Sequence, residues 1–590
     1  MSATPQTLTA AFRRTVASCP DALAVRTLDG TVALTWARLA QRVDAVAAAM
    51  RRRGVRRGDT VALLLSNRPE FHIADLAAVR LGAVPFSVYA TLPPEQMAYV
   101  MRDAQARIAV VECGFLETFR AARRSVPHLE HVIVVDDDAP DDGVTLAALE
   151  HEGREGLSSE AAVEPEPEDL VTLIYTSGTT GPPKGVQLTH RNVLALARAL
   201  EQVVPFERSG RVVSWLPAAH IAERAAHHYL PVIFGLSVTT LPNPRDIVAA
   251  LPRVRPTWFF AVPRIWEKIK AGLEARIMGL PDEQRRQVEE ALSAAREKVR
   301  LEQAGQPVPP AIAAHVARAD EALFAGWRAM LGLDEVRVVN VGAAPTPRDV
   351  LEFFHAIGLP LSEIWGLSET TGGATTAPPG KIRIGTVGLP LPGIEIRLAE
   401  DGEVLVRGDT VMVGYRNLPQ KTREVLSPEG WLATGDIGAI DADGYLRIVD
   451  RKKEIIINAA GKNMSPANIE STLKGACALL GQAVVIGDGR PYNTALVVLD
   501  PDAAFAWAAR HGLEPRSLEE LAREPALVEA VRVGVEAANA RLARVEQIRR
   551  FHIVPGEWMP GGDELTPTMK LKRRPILEKY AREIEALYAR

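Results

Sequence analysis

Between Thr176 and Gly185 the chain reads Thr-Ser-Gly-Thr-Thr-Gly-Pro-Pro-Lys-Gly, a segment that concentrates hydroxyls, flexible glycines and one ammonium. Phosphate oxygens are the natural partners of such a segment. Glycine permits tight turns that aim successive backbone N–H groups at one anion, and hydroxyls and a lysine add side-chain donors around it. The candidate phosphate ligands are Thr176, Ser177, Gly178, Thr179, Thr180, Gly181 and Lys184. The Walker A spacing, GxxxxGK followed by Ser or Thr, is absent, so this is not a P-loop ATPase. Near the other end Lys570 stands in a basic stretch with Lys572, Arg573 and Arg574, which taken alone reads as a solvated cationic face.

These residues need elements to hold them. Leu170–Tyr175 is an apolar β-rich run that leads directly into the phosphate loop. Similar runs at Val61–Leu65, Trp258–Val262 and Val336–Val341 alternate with helical stretches, which predicts an α/β body. The acidic or Pro-rich segments Asp136–Asp142 and Glu164–Asp169 read as exposed loops. From Ala271 to Trp327 the chain turns helical, and Val288, Leu292, Ala295 and Val299 form an apolar stripe suited to packing one face on the body. From about Gly444 the texture becomes short strands and helices: YLRIVD, EIIIN, a helix after Ser465, then AVVIGD and ALVVLD. We therefore expect a large domain over 1–449, a charged hinge at 450–453 and a small α+β domain over 454–590.

Composition narrows the function classes. With 590 residues, 47% hydrophobic and 24% charged, the chain can bury large cores unaided. Its 69 Lys and Arg against 73 Asp and Glu give a net charge of -4, with no global basic field for nucleic acid. Cys19, Cys113 and Cys477 are too few and too scattered for a disulfide framework or a Cys metal site, which fits a reducing, cytoplasmic setting. The N-terminus has no apolar stretch of the secretory kind. The longest uncharged run, Ala225–Pro244, is broken by His227, His228 and three prolines, so no transmembrane segment is expected, while peripheral membrane contact stays open. Oligomeric state is not legible.

YTSGTTGPPKGV resembles the signature loop of the adenylate-forming superfamily, which includes acyl-CoA synthetases, luciferases and peptide-synthetase adenylation domains. Further stretches resemble that superfamily's motifs in order: VGAAPTP at Val341–Pro347, IWGLSET at Ile364–Thr370, TGD ending at Asp436, DRKKEIIINAAGKNMSPANIE at Asp450–Glu470 and LTPTMK at Leu565–Lys570. The resemblance covers essentially the whole chain and implies a large N-terminal body of α/β subdomains with a small mobile α+β C-terminal domain. It also implies ATP, Mg²⁺ and coenzyme A. In such a site Gly342, Ala343 and Ala344 let the backbone approach adenine closely, and Trp365, with Gly366 and Ser368 in its motif, offers a flat apolar face. Glu369 supplies a carboxylate for Mg²⁺ beside the phosphates, with Thr179 as a second metal candidate. Asp436 has the lone pairs to accept from both ribose hydroxyls. Arg451 matches the position that assists the ribose, Lys453 the hinge, and Gly461 and Lys462 the loop presented for thioester formation.

Lys570 matches the lysine that bridges substrate carboxylate and α-phosphate, stabilising charge as it develops. Met569 stands where the superfamily often has glycine, a departure also found in its long-chain fatty acid branch. The segments SWLPAAHIAER at Ser214–Arg224 and FFAVPRIWEKI at Phe259–Ile269 resemble that branch, and they would place His220 by the acyl carboxylate. Gly372 and Gly373 could leave room for an acyl chain. The implied reaction is two-step: the acid displaces pyrophosphate from ATP to give acyl-AMP, and a thiol then displaces AMP. Only twenty residues follow Lys570, so no fused carrier domain is expected and free CoA is the natural acceptor. Alternatives are a fatty acyl-AMP ligase serving a separate carrier, a ligase for another hydrophobic acid, and a non-catalytic nucleotide- or acyl-binding protein.

Overall fold

The computed structural model describes residues 5–136, 143–155, 164–176, 182–459, 462–514, 517–566 and 569–589. Ser177, Gly178, Thr179, Thr180, Gly181 and Gly461 lie outside the described residues.

Strands that are apolar on both faces pair in parallel under covering helices. Thr60–Leu64, buried along its whole length, lies between Val84–Ser87 and Ala106–Val111 in a five-stranded parallel sheet completed by His131–Val134 and Val144–Thr145. A second sheet sets Ser237–Thr240 in parallel between Arg211–Ser214 and Leu23–Thr27, with Ala33–Thr35 antiparallel at its edge. The expected α/β body is the observed one.

Three further sheets position the site. Val338–Gly342 lies in parallel between Trp258–Ala261 and Leu361–Ile364. Gly342 pairs with Ile364, so the loops beginning at Ala343 and Trp365 leave the carboxyl ends of adjacent strands side by side, where open parallel sheets receive ligands. Leu170–Thr176 and Lys184–Thr189 pair antiparallel, and the Thr176–Lys184 pair closes the base of the phosphate loop. In a four-stranded antiparallel sheet, Leu432–Ile440 and Leu446–Arg451 bring Asp436 opposite Arg451.

The expected stripe of helix Asp282–Gln303 is buried, joined by Ala291, and the helix packs on Arg348–Ala356. Glu164–Asp169 is a loop as expected, but not a freely solvated one: Asp169 lies 2.7 Å from Arg57, and Glu164 and Glu168 pair with Arg13 and Arg191.

One apolar core extends from Leu8 to Leu446, and separate cores lie within Ile456–Ile553 and Val484–Ile584. In the C-terminal unit Leu480–Ile486 pairs antiparallel with Asn493–Leu499, which pairs in parallel with Ile548–Val554. Charge joins the bodies: Lys268 on helix Pro263–Met278 lies 2.9 Å from Asp502, and Arg264 pairs with Asp500 at the start of helix Pro501–Arg510. Gly561 closes against Thr91, where an added Cβ would come within 2.9 Å of the Thr91 carbonyl oxygen.

Candidate active site

Asp436 is the most constrained of the candidate residues. Its carboxylate is almost fully buried, accepts the Trp365 indole N–H at 2.9 Å on Oδ2 and faces Arg451 Nε at 2.7 Å on Oδ1. Burial pushes the acid above its usual range, while Arg451, Trp365 and Lys570 pull the other way. Each oxygen retains accepting capacity for a hydroxyl. Taken alone, Arg451, Lys452 and Lys453 read as a solvated cluster; in the fold Arg451 is committed to Asp436 and Lys452 to Glu403 at 2.8 Å.

Gly342 is required by close approach, because a Cβ there would lie 2.5 Å from the Ile364 carbonyl oxygen. Gly366 is equally confined, 2.7 Å from the Gly372 carbonyl. Ala343 adopts a left-handed backbone, φ 70°, and both it and Ala344 are exposed beside half-buried Trp365. A planar ligand therefore meets small side chains on one edge and an indole tied to a carboxylate on another. Ser368 begins the short 3₁₀ turn that carries Glu369.

Glu369 accepts the Tyr415 hydroxyl at 2.7 Å, and the Lys184 ammonium sits 4.1 Å from the centre of the Tyr415 ring. Burial lowers the Lys184 ammonium below its ordinary value; Glu369 opposes this, whereas Lys453 and Lys421 add to it. Lys453 thus faces the phosphate-loop lysine electrostatically while remaining exposed to solvent. Thr176, half-buried, sits where the loop begins.

Lys570 comes from the other body. Its ammonium lies within electrostatic reach of Arg451, Asp436, Glu369 and Glu454, and its charge is felt at His220. Surrounding protein, then Arg451, lowers its ammonium below the ordinary lysine value, with Asp436 and Glu369 opposing. The side chain still meets water, so the cleft is a solvated slot and not a sealed cavity.

His220 caps the short helix Ile221–Glu223 by accepting the Ala222 N–H on Nδ1 at 3.2 Å. Burial, then Lys570, depresses the imidazole to about 3, so the ring is neutral and carries its proton on Nε2. A neutral donor beside a cation suits a carboxylate guest. Lys462 is exposed in the turn joining Ile456–Ile457 to Asn463–Met464, its backbone N–H donating to Asn458 at 3.0 Å.

Gly372 and Gly373 lie against Ile221 and Leu196. A Cβ on Gly372 would touch Ile221 at 3.4 Å, and one on Gly373 would crowd Leu196 at 3.1 Å. Sequence reasoning also missed Tyr415 and Glu363. Glu363 pairs with Val341 next to the Ala343–Ala344 loop, and burial raises its carboxyl to about 7 despite Thr346. A lone Gly-Tyr and a lone strand Glu carry no signal until pairing sets them beside the motifs.

An α/β body and a small α+β body, with Lys184 at the foot of the phosphate loop, a buried carboxylate–indole pair and a lysine from the second body within its electrostatic reach, define a nucleotide-handling, adenylate-forming protein. The chain belongs to the AMP-binding enzyme family: residues 12–416 match that family and residues 453–590 match the AMP-binding enzyme C-terminal domain. It is 52% identical over 425 residues to a putative fatty-acid–CoA ligase, fadD11, of Mycobacterium tuberculosis, covering 72% of this chain and 74% of the relative. It is 36% identical over 583 residues to the long-chain-fatty-acid–CoA ligase FadD15 of Mycobacterium bovis, covering 95% and 94%. The anthranilate CoA ligase AuaEII, solved with anthranoyl-AMP, shares the fold at a TM-score of 0.75 and 22% identity, covering 99% of each chain.

Proposed function

We propose that this protein is an AMP-forming fatty acid–CoA ligase that accepts long-chain acids, and that Lys570 drives its first step. The observation that carries this reading is the buried Asp436 carboxylate held by Trp365 and Arg451, with Lys570 of the small domain within its electrostatic reach. The long-chain assignment is supported by the names of the relatives above and by the segments around His220 and Phe259.

The fatty carboxylate attacks the α-phosphorus of ATP, a P–O bond forms, and pyrophosphate leaves with the electron pair of the bond that breaks. Lys184 and the phosphate loop hold the phosphates, Trp365 with Gly342, Ala343 and Ala344 receives adenine, and Asp436 with Arg451 takes the ribose. Lys570 spans carboxylate and α-phosphate, where negative charge grows in the transition state. His220 donates from Nε2 to the carboxylate, and because it stays neutral it cannot protonate the nucleophile. CoA thiolate then attacks the acyl carbon and AMP departs.

Among the described residues no group of three or more His, Cys, Asp or Glu could cage a metal. The single carboxylate of Glu369 fits Mg²⁺, which keeps water and takes its remaining ligands from phosphates. When bound, that ion would neutralise phosphate charge. For the second step we propose that the small domain turns about Lys453 to present Gly461 and Lys462.

A panel of carboxylic acids from short to very long, scored for CoA thioester by mass spectrometry, tests the assignment. Thioester with long-chain acids is expected. Acyl-AMP that persists in saturating CoA would replace the ligase by a carrier-dependent acyl-AMP ligase.

A further inference from the structure

Lys570 stands where the chain returns on itself, opposite Thr566 and next to the antiparallel bridge between Leu565 and Leu571. The Thr566 N–H donates to the Lys570 carbonyl at 2.8 Å, the Lys570 N–H donates to Thr566 Oγ1 at 3.0 Å, and the Lys572 N–H donates to the Glu564 carbonyl at 2.7 Å. These bonds set the shape of the return but not where it points. Pointing requires an anchor outside it.

Arg573, three residues beyond Lys570, supplies one. Its Nη1 and Nη2 grip both oxygens of Glu470 at 2.6 and 2.8 Å, and its Nε reaches Glu454 at 3.1 Å. Glu470 lies on helix Pro466–Ala476, is buried, and also accepts the Val485 N–H at 2.8 Å. Glu454 lies one residue past Lys453, where the chain enters the small domain. The same helix is tied to the large domain's last strand, because Asp450 accepts from Ser465 Oγ at 2.5 Å and from the Ala467 N–H at 3.1 Å. Asp450 in turn neighbours Arg451, which holds Asp436. Helix Pro466–Ala476 is thus bonded at its start to Asp450, the residue before Arg451, and further along, through Glu470, to Arg573. The bidentate fork of an arginine restricts both distance and direction, which an ammonium would not.

We infer that Arg573 is a positioning residue for Lys570: by clamping Glu470 and Glu454 it sets how far the lysine reaches into the cleft, and so it acts on acyl-AMP formation and not on thioester formation. The inference rests on the proposed role of Lys570. Misplacing a catalytic group by about 1 Å costs on the order of 100-fold in rate, so losing the fork should be visible in the step that uses the lysine.

The experiment measures two half-reactions on the full chain: pyrophosphate release from ATP and a long-chain acid, and CoA thioester formation from supplied acyl-AMP. For Arg573→Lys the first should slow by about 30-fold and the second by less than about 3-fold, with KM for ATP little changed. Glu454→Gln removes one arm of the clamp and leaves the buried Glu470 pair intact, so it should fold with an unchanged Tm and slow the first half-reaction selectively by about 5-fold. It decides the matter should Arg573→Lys fail to fold. Equal slowing of both half-reactions in the folded variants, or no slowing, overturns the inference. Lys570→Ala in the same assay separates the two claims: if it leaves pyrophosphate release intact the role of Lys570 itself fails, whereas its loss alongside a fully active Glu454→Gln and Arg573→Lys removes only the clamp.

Discussion

A carboxylate held by an indole N–H and a guanidinium, a lysine over a tyrosine ring and a second lysine reaching across the cleft divide the chemistry among few residues. On the proposed mechanism Lys570 meets the developing charge, so Lys570→Ala should lower the rate of acyl-AMP formation by at least about 100-fold while the Kd for ATP changes by less than about 3-fold, read by pyrophosphate release and by nucleotide titration. Glu363 makes a pH-dependent prediction. Its folded-state pKa, about 7, lies above the ordinary 4.5, so the native state holds this proton more tightly than the unfolded chain. Its contribution to stability is complete below about pH 4.5 and is lost as pH rises through about 7. Glu363→Gln cannot ionise and should raise stability by roughly 1–3 kcal/mol at pH 8 and by almost nothing at pH 4.5, measured by denaturant unfolding. A larger gain at pH 4.5 would refute this. At this scale motif residues such as Trp365, Asp436 and Lys570 were legible because each sits in a distinctive local string. Tyr415 and Glu363 were not, since only strand pairing and the fold bring them to Glu369 and to the Ala343–Ala344 loop.

Elements whose shape is local were the easiest to read. The stripe of Asp282–Gln303 follows from helical periodicity alone, and the strand ahead of the phosphate loop from its apolar run. Antiparallel pairing of Leu432–Ile440 with Leu446–Arg451, which sets Arg451 opposite Asp436, was out of reach because an irregularity between Ile437 and Gly438 shifts the register within this hairpin. So were the neighbours of Gly372 and Gly373, which lie against Ile221 and Leu196. The return carrying Lys570 has one costly residue: Met569 holds φ 64°, a left-handed conformation that glycine adopts freely. Met569→Gly should relieve about 1 kcal/mol of strain in the native return and also loosen the unfolded chain, leaving Tm within about 2 °C. A drop of Tm by about 5 °C or more would mean that the half-exposed methionine side chain, 47% accessible, contributes packing that its exposure does not suggest.

Across the whole molecule, two bodies with their own cores are linked by charge pairs at Arg264–Asp500 and Lys268–Asp502. Exposed pairs are each worth ~0–1 kcal/mol and are screened by salt, so docking is adjustable. Lys268→Glu should slow acyl-AMP formation by about 2- to 5-fold at low salt, Asp502→Lys in the same chain should restore it, and both effects should fade toward 0.5 M salt. Failure of the second substitution to restore the rate would remove this contact from the docking. The α/β body and the smaller α+β unit could be read from texture, but the docking pairs could not, because charged residues are abundant along the chain and only the assembled surface says which ones meet. The polypeptide also passes between the bodies only once, near 450–453. Severing it there would leave each half its own folding nucleus and turn a tethered catalytic arm into a separate reagent. Co-expressed fragments should then regain turnover in proportion to how much of the smaller piece is supplied, since the covalent link provides only a high local concentration.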